Sequence, residues 1–180
     1  QVASLGATFR PHVKTSKCVQ ATEAQIQAGA QGITVSTIKE AEQFFAAGIR
    51  DILYAVGLAP NKLAAAAALI GKGCDLKVLT DSVQSAQAMA AFAKAQGLKF
   101  KVLIEIDTDD HRSGIKPESV ALLAVAQALE SPACEIVGVM THAGSSYDLN
   151  TPEALIAMAE QERAGCVRAA ERLRQAAGQR

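Results

Sequence analysis

The sequence predicts an α/β fold of parallel strands, a TIM-type (β/α)8 barrel seen as an incomplete segment of about six strand-helix units, and three observations carry that prediction. Strand-like and helix-like stretches alternate at intervals of roughly 20 to 35 residues, which implies parallel strands joined by right-handed crossovers. No G-x-G-x-x-G follows the first strand and no P-loop occurs, which counts against a nucleotide-binding open sheet, the alternative arrangement. The unusual polar residues Lys14, Glu105, Asp107, Arg112, His142 and Tyr147 stand where strands end, and in a barrel those ends converge on one mouth.

The first strand is expected over Thr8–Lys14, where a period of two places Arg10, His12 and Lys14 on one polar, inward face. Pro11 removes a ladder donor there, so a bulge or a later start would accommodate it and leave the facing of Arg10 open. A helix follows from about Val19 to Ala28, ended by Gly29, and Gly32–Thr37 reads as a β-branched strand. A second helix runs from Ile38 to Ala47, followed by a strand over Asp51–Val56. Asn61 is placed to cap an Ala-rich helix reaching Ile70, and the next strand is Asp75–Thr80. Asp81 or Ser82 caps a helix to about Ala95, and Lys99–Asp107 is the clearest strand of all. A polar stretch, Thr108–Gly114, leads to a helix from about Pro117 to Leu129, with proline in its first turn. Glu135–His142 is the sixth strand, and Thr151-Pro-Glu153 opens a last helix to about Ala177.

Composition narrows the function classes. Of 180 residues, 49% are hydrophobic, and Lys plus Arg balance Asp plus Glu at 18 each, which argues against a nucleic-acid or polybasic membrane partner. Aromatics are only 4%, so base-stacking platforms are not expected, and no apolar run is long enough to span a bilayer. Cys18, Cys74, Cys134 and Cys166 are far apart without a C-x-x-C pair, the pattern of cytosolic thiols, so a cytoplasmic protein is expected. The chain begins with Gln1 and enters a strand almost at once, as an internal piece of a longer protein would.

Lys14 is the first candidate for chemistry. A lysine buried at the end of a strand, with Arg10 and Lys17 nearby, has desolvation and like charge to lower its pKa, and a neutral amine is what a Schiff base requires. A solvated lysine leaving a strand fits the same residues. His111 with Asp107, Asp109 and Asp110 invites a metal, against the alternative of a solvated loop with Asp107 turned inward.

Arg10-Pro-His-Val-Lys-Thr-Ser-Lys17 resembles the Arg-Pro-His-x-Lys-Thr-His-Lys signature of the D-threonine aldolase and D-serine dehydratase group, fold-type III pyridoxal-phosphate (PLP) enzymes related to the N-terminal barrel of alanine racemases. Ala28–Thr37, Glu40-Ala-Glu42, Ala47–Leu53, Ile106–Gly114 and Thr141–Tyr147 match in the same order, so the resemblance covers nearly the whole chain. It implies that Lys14 holds PLP as a Schiff base and acts as base or acid at Cα of an amino-acid substrate. Arg112 matches the arginine against the phenolic oxygen of the cofactor ring, His142 a histidine beside the ring, and Tyr147 a phenol that reaches the pyridine nitrogen. Glu105 falls where alanine racemases carry a lysine that braces the arginine, although an ion pair with Lys101 is an equal reading. His12 either lines the site or braces the loop around Lys14. Ser16 and Ser145 stand where the group carries histidines, which bears on the substrate class and not on the cofactor.

Two parts of the group's pattern are missing: no Gly/Ser/Thr-rich phosphate loop occurs between Thr151 and Arg180, and the metal-binding His-x-Cys or His-x-Asp pair of a C-terminal β-domain is absent as well. The segment is therefore expected to be a partial PLP-binding barrel, with a divalent metal supplied by residues outside it and none within it, and inactive alone. The function implied is a PLP-dependent lyase acting on a D-3-hydroxy amino acid, by retro-aldol cleavage or by dehydration, in a homodimer of the full-length protein. The alternatives are an amino-acid racemase, a non-catalytic PLP carrier and a sugar-phosphate barrel enzyme in which Lys14 meets phosphate.

Overall fold

Pro11 decides the form of the first element. In the computed structural model, which describes residues 2–178, the expected strand over Thr8–Lys14 is reduced to a single parallel bridge between His12 and Thr34. Thr34 donates its N–H to Pro11 O at 2.8 Å and Val13 donates to Thr34 O at 2.9 Å on either side of His12, and before the proline Gln31 donates its N–H to Phe9 O at 2.8 Å without forming a regular ladder. Proline has no N–H to extend the ladder toward its own N-terminus. Beyond Val13 the chain turns away, with Lys17 N–H donating to Val13 O at 2.9 Å. Lys14 is consequently exposed on a turn, not buried at a strand end, and the inward face shared with Arg10 and His12 does not form.

From there strands and helices alternate as expected. They are α1 (Val19–Gln27), β1 (Ile33–Val35), α2 (Ile38–Ala46), β2 (Asp51–Gly57), α3 (Leu63–Gly71), β3 (Asp75–Thr80), α4 (Val83–Gln96), β4 (Phe100–Ile106), α5 (Val120–Ala128), β5 (Cys134–Thr141) and α6 (Pro152–Gly178). The order of strands in the sheet is their order in the sequence, β1-β2-β3-β4-β5, the parallel α/β class that the alternation predicts. Five strands form among the described residues where six were expected, because of Pro11. Ser82, not Asp81, caps α4, accepting from Ser85 N–H at 3.2 Å. Asn61 caps nothing: it lies in a turn of 3-10 helix, Pro60–Lys62, ahead of α3. Among the described residues no helix is long and apolar enough to cross a membrane.

The chain divides into two compact units inside β3, after Val78. In the first, β1 and β2 pair in parallel with Ile33 opposite Ile52 and Val35 opposite Tyr54, and these side chains are fully buried. Arg10 sends both terminal nitrogens to the Asp51 carboxylate, at 2.9 and 2.7 Å, and Lys77 reaches the same group at 2.6 Å. Burial raises the Asp51 pKa, but the two cations outweigh it and hold the carboxyl below its usual range. Gly32, at a φ of 67°, lies against this pair: a Cβ there would come within 2.2 Å of Arg10 Nη1 and 2.7 Å of Asp51 O. The backbone packs too closely for any side chain.

In the second unit β4 and β5 pair in parallel, with an irregularity where Val102 faces Ile136 but Leu103 faces Gly138. Phe100, Val102, Ile104 and Ile106 alternate into a core with Met89, Leu122 and Val125. The loop after β4 folds back on its own strand: Ile115 N–H donates to Glu105 O at 2.9 Å and Asp107 N–H to Ile115 O at 3.0 Å. Gly114, at a φ of 111°, permits that close return, since a Cβ would sit 2.6 Å from Asp107 N. β5 is less covered than a parallel strand should be: Ile136 and Val137 are 37% and 39% exposed. They border an open groove of about 680 Å³ lined by Leu123, Leu129, Ile136, Val139, Leu173 and Ala177.

Candidate active site

The residues singled out from sequence fall into two groups, one in each unit. In the first unit Val13, 1% exposed, anchors the start of a turn that carries Lys14. The turn is closed by Lys17, whose φ of 45° is in the left-handed region. Lys14 N–H faces His12 Nδ1 at 3.3 Å, and His12 Nε2 lies 3.3 Å from Ser36 Oγ. A backbone N–H can only donate, so His12 Nδ1 is the acceptor in the contact with Lys14. His12 thus contacts the Lys14 turn and the residue just after β1. The Lys14 ammonium makes no hydrogen bond or ion pair with any described residue, which leaves a primary amine held by its backbone and unencumbered at its tip.

In the second unit Glu105, Arg112, His142 and Tyr147 gather at the C-terminal ends of β4 and β5. Glu105, next to last in β4 and only 8% exposed, accepts a hydrogen bond from Ser113 Oγ at 2.8 Å. Burial pushes its pKa up and Asp81 adds to that, while Ser113, the Arg112 guanidinium and His142 pull the other way without prevailing. Arg112 is exposed and makes no ion pair with any described residue, so its charge is available to an incoming anion. His142, one residue past β5, has its Nε2 3.1 Å from Tyr147 Oη, with the two rings edge to face at 5.5 Å. The histidine orients an otherwise solvent-exposed phenol.

Two residues that the sequence did not place at the site tie its loops together. Asp109 accepts from both the N–H of Ser145, at 2.8 Å, and its hydroxyl, linking the loop that bears Arg112 to the turn that bears Tyr147. These bonds hold the Asp109 carboxyl below the usual carboxylate range. Gly144 lets the same loops close up, because a Cβ there would meet His111 Cδ2 at 2.7 Å. The sequence offers a signal in Ser145, a departure from the motif that Thr141–Tyr147 resembles, but its role is visible only in the Asp109 contact. Ser113 gave none, since a serine in a polar loop is unremarked without its partner. The acidic run does not gather toward a metal: Asp107 Oδ1 accepts the N–H of Asp110 at 2.9 Å, and Asp110 pairs with Lys116. Among the described residues no three His, Cys, Asp or Glu side chains cluster as metal ligands.

The raised pKa of Glu105 predicts a pH effect. The folded protein holds that proton more tightly than the unfolded chain, so its contribution to stability is greatest below the ordinary glutamate pKa, about 4.3, and is lost as pH rises toward the folded value. In Glu105→Gln the amide oxygen still accepts from Ser113 and there is no proton to lose. Its unfolding free energy should therefore fall less than wild type between about pH 4 and 7 in denaturant titrations. Parallel curves for the two proteins would contradict the assignment.

Comparison with known proteins follows the same lines. The chain is 60% identical over 172 residues to the D-threo-3-hydroxyaspartate dehydratase of Delftia sp. (strain HT23), covering 95% of this chain and 45% of that protein. The solved structure of that dehydratase superposes with a TM-score of 0.96, over 98% of this chain and 47% of the other. D-serine dehydratase of Dictyostelium discoideum is 30% identical over 175 residues, covering 90% of this chain and 44% of that protein. D-threonine aldolase from Filomicrobium marinum is 25% identical in structural alignment, with a TM-score of 0.83 over 94% of this chain and 46% of its own. The chain spans less than half the length of these relatives. A match to the family described as alanine racemase, N-terminal domain, extends over residues 1–180, and the chain belongs to that family.

Proposed function

We propose that the full-length protein is a PLP-dependent lyase that removes water from a D-3-hydroxy amino acid, with a 3-hydroxyaspartate as the first substrate to test. The observation that carries the reading is the free ammonium of Lys14, fixed through its backbone by His12 and the turn to Lys17. The 60% identity to a dehydratase of that substrate supports the choice of reaction.

The residues present fit the cofactor by their chemistry. Lys14 would supply a primary amine for its aldehyde, Arg112 an unpaired cation for its phenolic oxygen and Tyr147, hydrogen-bonded to His142, a hydroxyl for its ring nitrogen. PLP, when bound, supplies an electron sink for the negative charge left at Cα of the substrate. Lys14 would also be placed to act as the base for the Cα proton of the substrate. Tyr147, hydrogen-bonded to His142, is a neutral partner and does not force a proton onto the ring nitrogen as a carboxylate would. Glu105, buried and bonded to Ser113, gives Arg112 an attractive field without claiming it in an ion pair.

A divalent metal that helps the β-hydroxyl leave belongs to the same reading, held by residues outside 1–180. One solved structure is of a D-threo-3-hydroxyaspartate dehydratase C353A mutant in the metal-free form, which supports the metal. The architecture is part of the reading as well: the groove beside β5 is the seat of the next strand and helix of a (β/α)8 barrel, because Ile136 and Val137 are exposed apolar groups on the last strand of the sheet.

Two experiments test these proposals. Full-length protein with PLP and D-threo-3-hydroxyaspartate should release ammonia and a 2-oxo acid, and chelator or Lys14→Ala should each lower the rate by about 100-fold or more. Glycine as product would replace dehydration by retro-aldol cleavage, and inverted substrate without either product would make the protein a racemase. For the architecture, residues 1–180 expressed alone should bind a hydrophobic dye such as ANS that the full-length protein excludes. Equal dye binding by the two would remove the groove as the seat of a further strand.

A further inference from the structure

The Lys14 turn is attached to a buried carboxylate that the reaction itself does not call on. Glu40, in the first turn of α2, is 8% exposed and keeps a carboxylate away from water, which is costly without partners. Its Oε2 accepts Ser36 N–H at 2.8 Å, while its own N–H donates to Thr37 Oγ1 at 3.0 Å. That exchange is a variant of the capping box, with the glutamate reaching one residue further back than the cap. Capping α2 occupies only one of the two oxygens. The other, Oε1, lies 3.2 Å from Lys17 Nζ.

Both partners of Glu40 lead to Lys14. Lys17 closes the turn through its N–H to Val13 O, and it does so at a φ of 45°, a left-handed conformation that is strained for a residue with a Cβ. Ser36, fixed by its N–H on Glu40, presents its hydroxyl to His12 Nε2, and His12 Nδ1 takes the N–H of Lys14. One buried side chain therefore holds the residue three positions after Lys14 and, through Ser36, the residue two positions before it. Burial raises the Glu40 pKa, but the Ser36 N–H and the Lys17 ammonium outweigh it, so the group is charged at neutral pH.

We infer that Glu40 is a positioning residue for Lys14, fixing the turn that presents the amine before any cofactor binds. The inference rests on the proposed role of Lys14 and adds the reason why that amine is held ready. An unheld turn would have to be ordered each time PLP binds, at a cost in affinity.

The test uses the full-length protein and two readouts besides turnover. In Glu40→Gln the amide still accepts from Ser36 but loses the charge that holds Lys17. Its dissociation constant for PLP, titrated into cofactor-free protein, should rise about 10-fold. Amide hydrogen exchange at residues 14–17 of the cofactor-free protein should speed up by a similar factor, while α2 stays protected. Lys17→Met, a change at an exposed side chain, should do the same, and combining the two should add little. Thr37→Ala, which removes only the α2 cap, should lower stability and leave PLP affinity and turn exchange unchanged. Glu40→Gln and Lys17→Met proteins that match wild type in both readouts would overturn the inference alone. Wild-type protein that takes up no PLP, or binds it equally well as Lys14→Ala, would overturn the role of Lys14 and this inference with it.

Discussion

The first unit of this protein depends on where backbone pairing stops. Pro11 and Val13 flank one bridge to Thr34: proline offers no donor to continue a regular ladder on its N-terminal side, and on the other side Lys17 N–H closes a turn on Val13 O that takes Lys14 out of the strand. The chain peels from β1 at a fully buried anchor, Val13, and the next four residues close on its carbonyl. A lysine in a regular strand would have its tip direction set by the pleat and its amine pressed among neighbours. A lysine on a pinned turn has a fixed backbone and an open tip, which suits the role proposed for Lys14.

Electrostatics in the two units are handled in opposite ways. Asp51 is clamped by Arg10 and Lys77 and kept charged, a structural use of charge that fixes the start of β2. Glu105 receives only a serine hydroxyl, and its pKa is pushed up by burial. Clamping it with Arg112 would have made a tighter ion pair and consumed the cation. Arg112 instead stays exposed and without an ion pair among the described residues, which leaves its charge free for the anionic oxygen of the proposed cofactor.

Much of this was legible in the sequence. The alternation of apolar strands with helices from Gly32 onward is long and regular, so period alone placed β1 to β5 within a residue or two. The polar residues at strand ends, Glu105, His142 and the Arg112 loop, were found for the same reason: strand ends are fixed once strands are. What escaped is what depends on partners far apart in sequence. Pairing of Asp109 with Ser145 spans 36 residues and of Arg10 with Asp51 spans 41, and no local pattern announces either. The expected strand over Thr8–Lys14 is cut at both ends, by Pro11, which has no N–H for the ladder, and by the turn that Lys17 closes on Val13 O, a bond that no local pattern announces. Glu40 was visible as the fourth residue of a Thr-x-x-Glu cap, but its spare oxygen and Lys17 meet only in three dimensions.

The account turns on one nitrogen. Full-length protein loaded with PLP, reduced with borohydride and digested, should yield a pyridoxyl group on the peptide containing Lys14, and Lys14→Ala should yield none. A stoichiometric adduct on any other lysine, or on none, would contradict it.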